Sequence, residues 1–353
     1  MRAAIGYDFA VPTAVALPLA AFIATLILHF AALKMFPALG LLDFPKRYGL
    51  DRAPIPYPTG IFPVAVFVVF FVMLEPLNLE NIALIAGIIL LTTACMADDR
   101  TPIHPAPRIA VQVLIAGLIV LGGVRIDAVT NPLPGVLGAA GSITLDSGLA
   151  LALSVAFTIL WLLFTINALN WFDGIPGQVS TISTIAFVTI GFLAISERVN
   201  QPSLALLAFI LAGISLASLL FDFPPPKVLM GDTGAMFFGL MVGVLTVHSG
   251  GKVATTFLVL GVPLVDLLFV VARRLRRGQF PWQGNVTDQH LHHRLLGKGW
   301  SPRKIIALTA GIGAAFGVTA LFLDTWEKAC AGLLLVLVML GLSIYSNAAQ
   351  GKK

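Results

Sequence analysis

Four groups of polar residues stand at the ends of long apolar runs in this chain. They are Asp98-Asp99, the set Asn167, Asn170 and Asp173, then Asp232, and finally His290, His292 and His293 with Arg294. Carboxylates and amide oxygens are hard donors suited to a divalent cation. Imidazoles beside a guanidinium suit an anion, a pyrophosphate above all. Together these types describe a metal-assisted site that acts on a negatively charged substrate.

Each group also has an ordinary reading. Asp98-Asp99 closes an apolar run, so both carboxylates face the negative end of a helix dipole at a cost of roughly 0.3–1 kcal/mol each. A bound cation or a proton-accepting role justifies that placement; the alternative is an acidic helix end partly neutralised by Arg100. Asn167, Asn170 and Asp173 recur at i, i+3 and i+6 and can share one helix face, after which Gly174 and Pro176-Gly177 turn the chain. The alternative is a common Asn/Asp/Gly loop. In Met230-Gly231-Asp232-Thr233-Gly234 the acid is either a helix N-cap or a metal ligand, with glycines that let a phosphate approach the backbone. In Asp288-Gln289-His290-Leu291-His292-His293-Arg294, three of the six histidines fall within four residues. Zinc is the alternative, without a cysteine or His-Glu-x-x-His pattern to support it. Asp266 lies inside an apolar run and needs a partner; a basic residue of 273–277 is expected.

The elements that position these groups follow from composition. Of 353 residues, 58% are hydrophobic and 11% charged, against roughly 25% charged in soluble proteins. A bilayer span needs about 20 apolar residues. Eleven spans are read at 12–36, 61–74, 79–97, 108–123, 149–166, 178–195, 203–221, 233–249, 253–272, 304–323 and 328–347. The fold class is all-α, one polytopic helical membrane domain over 1–353, and the period-2 alternation of a barrel is lacking. Cys95 and Cys330 lie inside apolar runs and form no disulfide framework.

With the N-terminus outside and the C-terminus cytosolic, the inner segments are 37–60, 98–107, 167–177, 222–232, 273–303 and the tail. They and their borders hold 17 of the 22 Lys and Arg and nine of the 17 acids, so the inner face carries about +8 and the outer about −3. This satisfies the positive-inside rule and puts all the polar groups on one face. The sequence pI of about 9.4 reflects that bias rather than nucleic-acid binding.

In order, Asp98-Asp99, Asn167-x-x-Asn170-x-x-Asp173-Gly174, Gly231-Asp232-Thr233-Gly234 and His290-Leu291-His292-His293-Arg294 resemble the polyprenyl-phosphate N-acetylhexosamine-1-phosphate transferases. These make up glycosyltransferase family 4, and the histidine string is similar to its teichoic-acid, O-antigen and enterobacterial-common-antigen initiating branch. The resemblance runs from Asp43 to Arg294. It implies Mg²⁺-dependent transfer (with Mn²⁺ as a substitute) of a sugar 1-phosphate from a UDP-sugar to polyprenyl phosphate (undecaprenyl phosphate), releasing UMP, at the cytosolic face of a bacterial inner membrane. The class is EC 2.7.8, and the product starts a cell-envelope glycan. By that resemblance Asp232 and Asp173 hold the metal, while Asp98, Asp99 and Asp173 serve the chemistry. Asn167, Asn170, His290, His292, His293 and Arg294 bind substrate. Lys46 and Arg52 take the place of the basic residues that relatives carry in the first inner loop. The chain departs from the family at Pro176, where a second acid is usual, and at Ala235, where serine is common.

Phosphoryl transfer between two anions rests on positioning and charge neutralisation. The resemblance implies direct attack by the lipid phosphate, with a covalent phospho-aspartate at Asp98 or Asp173 as the alternative chemistry. A homodimer is compatible with the sequence. The competing function is a transporter of an anionic or lipid-linked substrate, which would carry ionisable groups near the midplane; here only Asp266 is clearly inside a span, about two turns from its inner end.

Overall fold

The computed structural model describes residues 11–45, 51–130, 142–281 and 289–347. Its helices are α1 (Val11–Ala38), α2 (Ile61–Leu74), α3 (Leu79–Arg100), α4 (Pro105–Gly122), α5 (Gly148–Phe172), α6 (Gln178–Ile195) and α7 (Pro202–Asp222). They continue with α8 (Gly231–His248), α9 (Val253–Val259), α10 (Gly261–Arg276), α11 (Leu291–Gly297), α12 (Pro302–Phe322) and α13 (Thr325–Asn347). Two antiparallel ribbons are the only sheets among the described residues: β1 (Leu42–Asp43) with β2 (Ile55–Pro56), and β3 (Ala128–Thr130) with β4 (Ser142–Thr144). Local chemistry sets several helix starts. Asn78 accepts the Asn81 N–H at 2.8 Å and Ser301 that of Lys304 at 3.3 Å. Pro105, Pro202 and Pro302 open their helices, where a missing N–H costs nothing.

Nine of these helices are long and apolar enough to cross a membrane. This multi-pass helical architecture matches the fold class expected from composition. α2 is the short second span, with 14 residues. The ninth expected span is not straight: α9 and α10 meet at an angle of 88°. Pro263 explains the break, because a continuous helix would need its N–H to bond Val259 four residues back, and proline has none. Gly261 then admits the Leu335 side chain of α13, which a Cβ there would meet at 2.1 Å.

α8 is the axis of the bundle, with every residue from Thr233 to Val247 buried. It packs on α5 through Gly239 and Gly243, where a Cβ would meet the Thr165 carbonyl at 2.6 Å and its Oγ1 at 2.5 Å. Small residues let membrane helices approach this closely. α3 flanks α8, α4 joins α3 to α5, and α6 pairs with α7, which α1 covers. Leu114, Leu121, Leu149, Phe322 and Leu333 are exposed, as expected of side chains that face lipid. Cys95 is buried and Cys330 exposed, and both are free thiols.

Candidate active site

The N-terminus of α8 is the anchor of the site, and Asp99 caps it from another helix. Its carboxylate accepts the Asp232 N–H at 3.1 Å, the Thr233 hydroxyl at 2.7 Å and N–H at 3.4 Å, and the Tyr57 hydroxyl at 2.6 Å. The dipole penalty at the end of α3 is thus offset by the positive end of α8. Asp232 does not cap its own helix. Tyr57 arrives on a strand-like segment stitched to the approach to α8: Leu229 N–H to Pro56 O, Thr59 N–H to Leu229 O, and Gly60 N–H to Met230 O, at 2.9–3.0 Å. A Cβ at Gly60 would lie 2.2 Å from the Gly234 nitrogen, and one at Gly231 would lie 2.8 Å from the Tyr57 ring. The glycines read as a phosphate approach instead admit Tyr57 and the Gly60 backbone.

Arg108, in the first turn of α4, joins two acids. Its guanidinium meets Asp98 at 2.6 Å and Asp232 at 2.7 Å, and donates to the Asn170 side-chain Oδ1 at 3.2 Å. Asp98 also accepts the Ile103 N–H at 2.6 Å. Beside this junction an apolar groove of about 140 Å³ runs between α3 and α4, lined by Leu91, Ala94, Val111 and Met236 and ending on Asp98 and Arg108. Asn167 pairs its amide with Gln112 of α4 at 2.6 Å and with the Leu163 carbonyl at 2.8 Å, so it fixes α5 to α4 rather than facing open space.

On the other side of Asp232 lies a polar cavity of about 280 Å³, lined among others by Asp43, Arg52, Tyr57, Asp173, Pro176, Asp222 and Asp232. Asp43 and Arg52 form an ion pair across it. Asp222, at the end of α7, accepts the Ser180 hydroxyl at 2.6 Å. No hydrogen-bond donor among the described residues meets the Asp173 carboxylate. Burial, with Asp222, Asp232 and Asp99 nearby, holds its carboxyl well above the ordinary carboxylate range.

The histidine segment packs against Gly174, which lines the cavity, through His292. His290 bonds Asp266 at 3.0 Å, and the same carboxylate accepts the Leu291 N–H at 3.0 Å. Asp266 therefore pairs with His290, not with a basic residue of 273–277 as expected, because the chain returns at 290–291 to place both the His290 ring and the Leu291 N–H on its carboxylate. Arg294 donates to Asn347 at 2.7 Å and to Ser343 at 3.2 Å, which ties α11 to α13 and away from the cavity. Arg274 is buried over Trp171, 4.8 Å from the ring centre, and donates to Gln289 at 2.9 Å. His292 points the other way. A Cβ on Gly174 would lie 2.0 Å from its Nε2, and both ring nitrogens are buried without a hydrogen-bond partner among the described residues. Burial, then His293, lowers its pKa to about 3, while half-buried His293, 4.3 Å from it ring to ring, is lowered too.

The structure thus brings Asp98, Asp99, Asn170, Asp173 and Asp232 together, with His292 at their edge; Lys46 and Asp288 lie outside the described residues. Sequence reasoning missed Arg108, Tyr57, Gln112 and Asp222. Arg108 had a signal: a cation in the first turn of a helix opposes the dipole. Among the described residues no three acidic, histidine or cysteine side chains could hold a metal by themselves. Mg²⁺ does not require that, since it is commonly held by one or two carboxylates, water and substrate phosphates. The hard oxygens of Asp232 and of donor-free Asp173 fit such an ion, and its charge would relieve the crowding of acids.

Residues 81–250 match the model described as Glycosyl transferase family 4. Similar curated proteins cover most of the chain. A probable undecaprenyl-phosphate N-acetylglucosaminyl 1-phosphate transferase of Bacillus subtilis is 26% identical over 81% of this chain and 78% of its own. A decaprenyl-phosphate N-acetylglucosaminephosphotransferase of Mycobacterium tuberculosis is 27% identical over 92% and 86%. An undecaprenyl-phosphate alpha-N-acetylglucosaminyl 1-phosphate transferase of Salmonella typhi is 28% identical over 92% and 88%. With its membrane bundle and its acids gathered at one end, the chain is similar over most of its length to these polyprenyl-phosphate N-acetylglucosamine 1-phosphate transferases, and its central part matches glycosyl transferase family 4.

Proposed function

We propose that this protein transfers N-acetylhexosamine 1-phosphate, with N-acetylglucosamine favoured by the relatives' names, from its UDP-sugar to polyprenyl phosphate. UMP is released at the cytosolic face of a bacterial inner membrane. The observation that carries the reading is the junction at Arg108. A carboxylate-lined polar cavity that contains Asp232 and an apolar groove that ends on Asp98 are joined there by a single guanidinium. One side suits a nucleotide sugar from water, the other a lipid tail from the membrane.

The groove takes the polyprenyl chain and sets its phosphate beside Arg108. One arm of the guanidinium then turns from a carboxylate to the phosphate, a bidentate partner of the same geometry. Asp98, freed of that arm, orients the attacking phosphate oxygen. Asp99 keeps α8 and Tyr57 in register, so that Asp232 faces the diphosphate. A new bond forms between the lipid phosphate oxygen and the sugar-bearing phosphorus, and the bond from that phosphorus to the oxygen kept by UMP breaks. Mg²⁺ held by Asp232 and Asp173 would polarise the diphosphate and neutralise the leaving group. His292, neutral and aimed at the Asp173-Gly174 turn, supplies a donor or acceptor to the sugar phosphate. Asp266, the only acid clearly inside a span, is consumed by His290, which leaves the transporter reading without its intramembrane group.

Membranes containing the protein, given UDP-N-acetylglucosamine, polyprenyl phosphate and Mg²⁺, release UMP on this reading. Asp232→Asn and Asp98→Asn abolish the release while the protein stays inserted. Full turnover in both variants would overturn the site assignment, and a panel of sugar nucleotides identifies the donor.

A further inference from the structure

The largest cavity described lies at the other end of the bundle. α8 begins at the acid cluster and ends at His248, and the turn after it, Gly251-Lys252-Val253, forms one wall of a space of about 840 Å³. That volume lies within the roughly 300–1,000 Å³ of built ligand pockets. The other walls come from the ends of α6 and α12, the start of α13 and the β3 ribbon.

Its lining is of two kinds. Part of the lining is apolar, with Phe157, Phe257, Leu333 and Val336, of which Phe157 and Leu333 are open to the lipid side. The rim holds Arg198, Lys252 and Lys328, three of the five cations expected on that face. Arg198 donates to the Leu323 and Phe322 carbonyls at 2.6 and 3.2 Å and so closes the end of α12. Asp324, the acid of the rim, accepts the Glu327 N–H at 2.9 Å and caps α13. Neither lysine ammonium forms an ion pair among the described residues, although both are partly buried. Exposed Trp326, in the first turn of α13, marks the headgroup level where membrane tryptophans gather.

We propose that this cavity is a binding site for one anionic diacyl phospholipid of the leaflet opposite the catalytic end. The phosphate sits on Lys252 and Lys328 within the field of Arg198. One acyl chain fills the space between Phe257 and Leu333. The lipid then bridges α6, the α8–α9 turn and the α12–α13 turn, packing into the space beside the broken ninth span. This site is independent of the transferase reading; it needs only that the chain sits in a bilayer.

The test is native mass spectrometry of the full chain purified from membranes and re-equilibrated with phosphatidylglycerol or phosphatidylcholine. The wild type retains one phosphatidylglycerol through delipidation that strips phosphatidylcholine. Lys252→Gln with Lys328→Gln lowers that retention roughly ten- to thirtyfold, as expected for two lysines at an anionic headgroup. Gly332→Leu is the second variant. It fills the apolar wall without touching charge, since a Cβ there meets only the Phe257 ring, at 3.8 Å, and it lowers retention of both lipids. Gel filtration and the unfolding midpoint verify that each variant is folded. Equal retention of the two lipids, or unchanged phosphatidylglycerol retention in the folded double-lysine variant, would overturn the proposal. Displacement by polyprenyl phosphate at lower concentration than phosphatidylglycerol would also overturn it, since the site would then serve a prenyl lipid.

Discussion

The carboxylate half and the histidine half of the site face each other across Gly174, and they treat buried polarity in opposite ways. In the histidine half nearly every charge is matched: Asp266 by His290, Arg294 by Ser343 and Asn347, Arg274 by Gln289 and Trp171. In the carboxylate half Asp43, Asp98, Asp99, Asp173, Asp222 and Asp232 gather around Arg52 and Arg108. The first half is framework, and the second sets six acids against two arginines among the described residues. His292 is the exception that joins them, a member of the histidine string whose ring nitrogens have no partner among the described residues.

The comparison breaks first at Asp266. Removing one partner of a buried pair costs about 3–5 kcal/mol. Asp266→Ala is therefore expected to lower the unfolding midpoint steeply and to lose activity only as folded protein is lost. Asp266→Asn, which keeps an acceptor for the Leu291 N–H, is expected to lose less. A variant with an unchanged midpoint and no activity would move Asp266 into the catalytic half.

Asp173→Asn is expected to do the reverse. The carboxylate has no donor to lose and is crowded by other acids, so neutralising it keeps or raises the unfolding midpoint. Activity falls by at least about 100-fold if it acts on the proton or the ion. Midpoint and turnover measured on one preparation separate the two; near-normal turnover would remove Asp173 from the site.

Gly60→Ala tests the frame between the halves and the first inner loop. Gly60 has helical φ of −59°, so alanine suffers no backbone strain there. The whole effect is the 2.2 Å approach to the Gly234 nitrogen, which is backbone and cannot swing aside. Overpacking of this kind costs about 1–3 kcal/mol. Separating the segment from α8 also loosens Tyr57 from Asp99, so KM and kcat shift together. Wild-type kinetics in Gly60→Ala would show that the register of Tyr57 is immaterial.

Much of this was legible before the fold was seen, and the reason is contrast. Asp98, Asp99, Asn170, Asp173 and Asp232 are costly in an apolar chain unless they meet something, and spans counted in order put them at one end. What stayed hidden depended on tertiary contact. Asp222 reads as the polar end of α7 until Pro176 and Asp173 are seen beside it. Arg108 reads as one more inner cation until it touches Asp98 and Asp232. Asp99 reads as the twin of Asp98, yet one is a cap for α8 and the other the mouth of a groove, a distinction carried by the 100° that separates neighbours on a helix. The broken ninth span left a mark in Gly261 and Pro263, but its angle depends on Leu335 of α13, distant in sequence.

The smallest expected effect sharpens the position of His292 between the halves. Its folded pKa is lowered from the ordinary 6.5 to about 3 by burial first and by His293 second. Between those values the unfolded chain binds a proton that the folded chain refuses, so stability must fall as pH falls. The stabilisation is fully present above the ordinary value and is lost at about 1.4 kcal/mol per pH unit below it. His292→Asn removes this proton from the balance. Its unfolding midpoint is expected to drop less than the wild type's between roughly pH 7 and 5, with the curves parallel above that window. Parallel curves throughout would mean that the folded ring takes up protons freely. His292 would then be an open, protonated anion ligand rather than a buried neutral one, and the boundary between the two halves would lie one residue further along α11.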